Sequence, residues 1–215
     1  MKDLRYEKLA NNLLTYSVDV KKGDNILIEI LGEEAIPLAK ELIKRAEELG
    51  AKPQFNIINY EILRVMLENA TEEQIKVYGQ IDSERMKKMD AYIGIRATSN
   101  ISELNGIPKN VMEIYNKYYT LPVHFEERVK NTKWCILRYP NNAMAQTAKM
   151  SRDKFEELFF NVCNLDYKKM SKAMDSLKDL MNKTDKVHIL GNGTDLTFSI
   201  KGIKAEKLQA ENEAI

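Results

Sequence analysis

Short apolar segments that favour strands alternate with longer amphipathic segments that favour helices. Residues 25–30 (NILIEI) are followed by apolar residues at helical spacing over residues 36–49, and Gly50 stands where a helix commonly ends. Another short segment, residues 52–59 (KPQFNIIN), begins soon after Gly50. A strand, a helix and a strand in succession are typical of a βαβ unit, in which a helix connects two parallel strands.

The same alternation continues further along the chain. Residues 91–95 (AYIGI) and 133–138 (KWCILR) predict two more strands, and the first of these is uncharged, as expected for a strand buried on both faces of a parallel sheet. The predicted fold class is therefore α/β: a mostly parallel sheet flanked by helices, with Rossmann- or flavodoxin-like layering.

Between the strands, the apolar spacing predicts the helices. Residues 4–17 form a first amphipathic helix, and residues 71–74 (TEEQ) resemble a capping box that opens a later one. Residues 83–89 predict a short separate helix before the third strand, and residues 111–128 predict a helix with a break at Pro122. Ser151 and Asp166 each stand where a helix cap is expected.

Asp166 is expected to open a single helix that continues through Met181. After residue 184 the pattern changes, because residues 187–190 and 196–200 are short strand-like segments joined by the turn-forming sequence GNGTD. This predicts a β-hairpin and a domain boundary near 184. The two domains are then residues 1–184, an α/β domain, and residues 185–215, the first strands of a second domain.

The hairpin fragment is too small to bury a core of its own, so it should belong to a larger structure. The polar end of the chain, residues 204–215 (KAEKLQAENEAI), is predicted to be a helix or a frayed tail.

The charge balance disfavours two classes of partner. With 33 Lys+Arg and 32 Asp+Glu, the formal charge is +1, which does not supply the clustered positive charge that nucleic acid or an anionic membrane attracts. No apolar stretch approaches the ~20 residues of a membrane span. The charged, amphipathic start MKDLRYEKLANNLL lacks a signal-peptide core, which favours a cytoplasmic protein, and Cys135 and Cys163 are predicted to be buried, reduced thiols.

Catalytic motifs are absent from the sequence itself. The two histidines, His124 and His188, lie far apart without an HExxH pattern, and no GxSxG motif or paired nucleophile and base is present. The several Glu-Glu pairs are interpreted as solvated helix faces or helix starts. Gly191 and Gly193 precede a strand rather than a helix, so they form a weak phosphate-binding candidate.

The carboxyl ends of the predicted parallel strands are the expected place for a ligand or partner. Three polar residues follow these strand ends and are candidate cleft or partner contacts: Arg96, Asn100 and Asn141. Arg96 is the strongest of them as an anion or partner contact, although a structural salt bridge is the simpler alternative. Neither a catalytic residue nor a metal ligand is assigned.

Two stretches resemble one known family. Residues 134–151 (WCILRYPNNAMAQTAKMS) fit the pattern W-x5-P-x4-A-x4-M-S of the thermophilic metalloaminopeptidases, the family of aminopeptidases T, S and II. Residues 187–202 (VHILGNGTDLTFSIKG) resemble the GTDL strand pair of that family, and the opening KKGDNILIEI also fits. The resemblance covers residues 1 to about 204 in the family's order.

The resemblance implies an N-terminal α/β domain followed by the first strands of a catalytic domain. That domain carries two divalent metals, cobalt, zinc or similar, and removes N-terminal amino acids from peptides. Family members are roughly twice as long, and their metal ligands and catalytic glutamate and tyrosine follow the point that corresponds to Ile215. No ligand is therefore carried over to this sequence, and Glu206, Glu211 and Glu213 do not match one.

Three hypotheses follow. In the first, the chain is the non-metal-binding part of a two-metal aminopeptidase and is inactive alone; it covers the cleft or helps a homo-oligomer assemble, and its hairpin exposes apolar surface. In the second, it is a stand-alone α/β binding or assembly module without catalysis. A nucleotide-binding domain ranks last, since the turn at residues 31–34 (LGEE) offers one glycine and two negative charges that repel phosphate.

Overall fold

The computed structural model describes residues 3–208, residue 210 and the backbone of residues 213–214. The chain divides into two compact units, of which unit 1 comprises residues 1–164 and 210–215 and unit 2 comprises residues 165–209. The predicted boundary near 184 falls inside unit 2. The assignment of residues 185–215 to a second domain stays a prediction.

Strands and helices alternate along the chain as predicted. The strands are β1 (Asn25–Leu31), β2 (Lys52–Ile58), β3 (Ala91–Arg96), β4 (Lys133–Arg138), β5 (Lys186–Gly191), β6 (Thr194–Ser199) and β7 (Glu213–Ala214). The α-helices are α1 (Leu4–Asn12), α2 (Ile36–Glu48), α3 (Tyr60–Glu68), α4 (Glu72–Met86), α5 (Lys109–Tyr115), α6 (Asn142–Thr147), α7 (Arg152–Cys163), α8 (Tyr167–Ala173) and α9 (Asp175–Lys183).

A parallel sheet forms the centre of unit 1. Its strand order is β2-β1-β3-β4-β7, and every pairing in it is parallel. β3 is buried along almost its whole length, as its uncharged sequence predicted. The α/β fold class is confirmed.

One face of the sheet is mostly apolar. Alternate residues of β1, Ile26, Ile28 and Ile30, are buried together with Ile93 and Ile95 of β3 under helices α1, α2 and α7. Each such side chain contributes about 1.5–3 kcal/mol by leaving water. This face supplies the larger core of unit 1 and fixes the register of the strands, since a shift by one residue would turn these side chains to the opposite face.

The opposite face carries a smaller apolar cluster and a buried charge. Leu27, Tyr92 and Ile136 pack there against Met86 of α4, while the carboxylate of Glu29 lies on the same side of β1 and is only 4% exposed. A buried carboxylate needs hydrogen-bond donors, so this face is organised by polar contacts as well as by packing.

The helix predicted with a break at Pro122 is instead continuous. Residues Asn116–Val129 extend α5 as a π-helix, here called the π segment, with Pro122 inside it. Proline has no N–H to donate to the carbonyl four residues earlier, which is that of Tyr118, and in an α-helix its ring would press against that oxygen. A π turn joins residues five apart rather than four, which relieves the contact between the ring and that oxygen, so the helix continues past Pro122 although its nitrogen still has no hydrogen to donate.

The π segment lies directly against α4 at Gly79. A Cβ added to Gly79 would stand 1.8 Å from the carbonyl oxygen of Tyr118, so only glycine permits this approach. The predicted separate helix over residues 83–89 is wrong, because Ser83 and Met86 continue α4 and contribute to its buried face. The predicted cap at Thr71 is confirmed, since its side chain accepts a hydrogen bond from the Gln74 amide.

Unit 2 contains two helices and a hairpin. The single helix predicted to follow Asp166 is divided at Met174 into α8 and α9, although Asp166 caps the first of them as predicted. β5 and β6 form the predicted antiparallel hairpin. Residues 204–208 are not helical, Glu213–Ala214 pair with β4 in unit 1, and the remainder of the predicted tail lies outside the described residues.

The hairpin exposes apolar side chains, as predicted. Its register pairs Val187 with Phe198 and Ile189 with Leu196, which places these four residues on one face. Of these, Ile189 is 46%, Leu196 49% and Phe198 39% exposed. An isolated two-stranded hairpin is at best marginally stable in water, so a face of this kind favours a covering structure.

Candidate functional site

The carboxyl ends of β1 and β3 are held together by close backbone contact. Gly32 follows β1 with φ of 96°, and a Cβ at that position would lie 2.8 Å from the carbonyl oxygen of Ala97. Glycine is therefore required there for both conformation and space. This contact sets the loop after β3, residues 97–100, against the end of β1.

Asn141 connects that loop to the end of β4. Its side-chain amide donates hydrogen bonds to the carbonyl oxygens of Ala97, at 3.2 Å, and Thr98, at 2.8 Å. Its side-chain oxygen accepts from the Met144 amide at 2.9 Å and so caps α6. The side chain is 1% exposed, and it positions two loops rather than facing a cleft.

A cleft of about 640 Å³ opens at the ends of β3 and β4. We call it the arginine cleft, because Arg96 and Arg138 both line it, together with Tyr60, Asn100, Met144 and Phe155. Arg96 and Arg138 are register partners on adjacent parallel strands, and they therefore project from the same face of the sheet.

Among the described residues, the guanidinium groups of Arg96 and Arg138 have no anionic partner. Arg96 is half-buried and Arg138 is exposed, and within residues 3–208 and 210 neither guanidinium forms a hydrogen bond or an ion pair. The structural salt bridge that was the simpler alternative for Arg96 is therefore not formed by the part of the chain that the structure describes. The two positive charges on neighbouring strands repel one another. An oxyanion bound between the guanidiniums would offset this repulsion.

Asn100, the third predicted residue, lies at the exposed rim of the arginine cleft. Its side-chain amide donates to the Glu103 carboxylate at 2.8 Å, and its side-chain oxygen accepts from the Ser102 amide at 3.0 Å. Its contacts therefore shape the turn that follows the loop after β3.

An acidic pocket of about 240 Å³ borders the arginine cleft and shares Tyr60 and residues 98–100 with it. Its carboxylates are those of Glu33, Glu34, Glu61 and Glu103. The edge of the sheet thus presents positive charge over β3 and β4 and negative charge over β1 and β2.

Beneath this edge lies a buried polar network that the sequence analysis did not identify. The Tyr92 hydroxyl donates to the Glu29 carboxylate at 2.8 Å, and the Asn56 amide donates to its other oxygen at 2.9 Å. Burial, followed by the neighbouring Glu29 charge, raises the pKa of Tyr92 well above its usual value. A glutamate within an otherwise apolar strand was the available signal.

A positive charge lies over the Tyr92 ring. The Arg128 guanidinium is centred 5.0 Å from that ring and 5.9 Å from the ring of Trp134, a favourable cation–π arrangement. Arg128 Nη1 also lies 2.9 Å from Nδ1 of His124. Burial, with added repulsion from Arg128 and Arg96, lowers the pKa of His124 to about 3, so this imidazole is neutral near pH 7 and accepts from Arg128.

A second buried contact joins α4 to the π segment. The Tyr119 hydroxyl donates to Asp82 at 2.8 Å, and the Tyr119 ring stacks between Tyr78 and Tyr115 at centroid distances of 4.7 and 4.9 Å. Such stacked pairs add about 0.5–1.5 kcal/mol each beyond burial. The Glu29 network and this second contact stabilise the packing of α4 and the π segment on the sheet, because their groups are buried between helices and sheet.

The described residues do not form a metal centre. No group of three His, Cys, Asp or Glu side chains within residues 3–208 and 210 is arranged to hold a metal ion. Nδ1 of His124 is hydrogen-bonded to Arg128, and Nε2 of His188, in the hairpin, lies 2.7 Å from the Asp195 carboxylate. No described helix is long and apolar enough to cross a membrane.

Comparison with known proteins identifies a family. The sequence model of the thermophilic metalloprotease family, M29, matches residues 2–211 of this chain. The solved structure of wild-type AmpT from Thermus thermophilus is similar with a TM-score of 0.66 and 18% identity; the match covers 91% of this chain and 53% of AmpT. The chain thus spans about half the length of that relative. No curated protein sequence matches significantly.

Other solved structures are similar only in part. A putative transcription repressor of the LacI family from Corynebacterium glutamicum has a TM-score of 0.36 and 13% identity, over 74% of this chain and 55% of that one. An alcohol dehydrogenase superfamily protein from Novosphingobium aromaticivorans has a TM-score of 0.31 and 11% identity, over 74% of this chain and 47% of that one. Likeness at this level supports no functional argument.

Proposed function

The chain belongs to the thermophilic metalloprotease family M29, and on that premise we propose that it serves as the non-metal-binding N-terminal part of a two-metal aminopeptidase. The observation that carries the proposal is the family match over residues 2–211, together with a fold like that of AmpT over 91% of the chain. The whole enzyme hydrolyses N-terminal amino acids from peptides, and this part covers its cleft or supports assembly of a homo-oligomer.

The metal chemistry is assigned outside these residues. In a two-metal peptidase, the metals activate a water molecule and stabilise the developing oxyanion. The described side chains do not fit such a centre, since both histidines have other partners and no third ligand converges with either. We therefore derive no catalytic step from this chain.

The apolar face of the hairpin supports a larger structure around it. Val187, Ile189, Leu196 and Phe198 lie on one face of a sheet with only two strands. Burying such a face contributes about 25 cal/mol per Å² of apolar area, which a separate hairpin does not gain. In the proposal, further strands of the catalytic part cover it.

Two further observations support the setting. Cys135 and Cys163 are buried thiols, which suits the reducing conditions of the cytoplasm, where we place the enzyme. β2 is an edge strand with Phe55 67% exposed, a feature compatible with contact between subunits.

The test is a combined activity and metal measurement. The purified 215-residue chain is assayed with leucine p-nitroanilide in the presence of cobalt or zinc, and its metal content is measured by elemental analysis. We expect neither turnover nor stoichiometric metal. Turnover accompanied by stoichiometric metal would overturn the assignment, because it would require a site built from these residues. Sedimentation equilibrium of the same sample tests self-association.

A further inference from the structure

The guanidiniums of Arg96 and Arg138, which form no ion pair with the part of the chain that the structure describes, carry an inference that goes beyond the proposed peptidase role. We propose that the arginine cleft is a binding site for a small ligand that has one carboxylate and an apolar body. The site lies within unit 1.

The first argument is charge placement. Arg96 and Arg138 occupy the same position of adjacent parallel strands, and both line one cleft. No carboxylate in the part of the chain that the structure describes pairs with either guanidinium. A guanidinium presents a planar set of N–H donors that matches the two oxygens of a carboxylate. Two such groups side by side supply donors for both oxygens and offset the repulsion between them.

The second argument is that the cleft is held in shape before a ligand arrives. Gly32 sets the loop after β3 against β1, and Asn141 joins that loop to the N-terminus of α6. Both arginines project from the ends of sheet strands and not from flexible loops. A preformed site loses less conformational entropy on binding.

The third argument identifies the remainder of the ligand. The cleft is also lined by Ile101, Met144 and Phe155, whose apolar side chains suit an apolar body of limited size. The adjoining acidic pocket retains the carboxylates of Glu33, Glu61 and Glu103, since only Glu34 of its four pairs with an arginine, Arg152, among the described residues; this disfavours a ligand of higher negative charge such as phosphate. A singly charged carboxylate is therefore the favoured class.

Calorimetric titration of the whole chain tests the site with a matched pair of probes. N-acetyl-leucine carries one carboxylate and an apolar side chain, and N-acetyl-leucinamide is its neutral counterpart. We expect the acid to bind and the amide to bind at least about tenfold more weakly. Equal binding of both, or no binding of the acid, would overturn the proposal.

Variants locate the binding. Arg96→Gln and Arg138→Gln should each weaken N-acetyl-leucine about tenfold or more, whereas Lys40→Gln, which removes an exposed charge on α2, should leave it unchanged. Arg138 is exposed, so its variant tests the site even if the Arg96 variant folds poorly. Equal effects of Lys40→Gln and Arg138→Gln would indicate only a general charge effect and would refute the site.

Inorganic phosphate is the last probe. Binding of phosphate more tightly than N-acetyl-leucine, with loss in Arg138→Gln, would overturn the assignment of a carboxylate ligand. Weaker or absent phosphate binding would support it. These readouts measure binding to this chain, so their outcome does not depend on the aminopeptidase assay.

Discussion

Replacing Gly79 by alanine tests the packing of α4 on the π segment. The new Cβ would stand 1.8 Å from the carbonyl oxygen of Tyr118 and 2.8 Å from its carbonyl carbon. To reach ordinary non-bonded separation, the two elements must move apart by roughly 1.5 Å. Both contacts are with backbone, so no side-chain rotation relieves them.

The cost can be worked out from what that separation breaks. Overpacking of this kind costs about 2 kcal/mol. The hydrogen bond from Tyr119 to Asp82, now 2.8 Å, would stretch beyond hydrogen-bonding distance and cost about 2 kcal/mol more. The better helix propensity of alanine returns about 1 kcal/mol. The expected net loss of unfolding free energy for Gly79→Ala is therefore about 3 kcal/mol, or a fall in Tm of about 6–12 °C.

Urea unfolding followed by tryptophan fluorescence measures this loss. Trp134 is the only tryptophan of the chain and lies on β4, so its signal reports on unit 1. Gln80→Ala is the matched control, because Gln80 is the exposed neighbour of Gly79 on α4 and its change should stay within about 0.5 kcal/mol. A Gly79→Ala protein as stable as the control would refute the reasoning.

Three further predictions concern the buried network and the hairpin. Burial lowers the pKa of His124 from 6.5 to about 3, so the unfolded chain binds this proton at a higher pH than the folded chain, and stability should fall as the pH drops through this range. His124→Asn should make that fall less steep in urea unfolding measured from pH 7 to pH 4. An equally steep fall in the variant would contradict the prediction. Glu29→Ala should lower the free energy of unfolding by about 3 kcal/mol, because it leaves the buried Tyr92 hydroxyl without its acceptor. Adding Tyr92→Phe should recover part of this loss, whereas strictly additive losses in the double variant would exclude the coupling. Phe198→Asp should lower the binding of an apolar dye and raise solubility, while Thr197→Asp on the opposite face should do neither; identical effects would argue against an apolar docking face.

The sheet could be predicted from the sequence because its signals are local. β1, β3 and β4 are short apolar segments between helical patterns, and the glycine at residue 50 marks the end of α2 within one or two residues. The helix caps at Thr71 and Asp166 could be predicted for the same reason, since the Thr71 hydroxyl and the Asp166 carboxylate each accept a hydrogen bond from an amide in the first turn of the helix they cap.

The helix details and the paired site could not be predicted in the same way. Whether Pro122 breaks a helix or widens it into a π turn depends on the contact with α4, which the local sequence does not contain. Arg96 was identified from its place after a strand, but Arg138 becomes its partner only through the register of β3 and β4. The burial of Glu29 likewise depends on side chains far away in the chain.

The side-chain amide of Asn141 also has a consequence for how unit 1 opens and closes. It binds the carbonyl of Ala97 across a separation of 44 residues, so the loop after β3 reaches its final shape only once the end of β4 has docked. Loops joined in this way open as one cooperative unit rather than one by one. In hydrogen exchange, the amides of residues 97–100 and 141–144 should therefore share one opening free energy. The two loops should take their final structure late in folding and open early in unfolding.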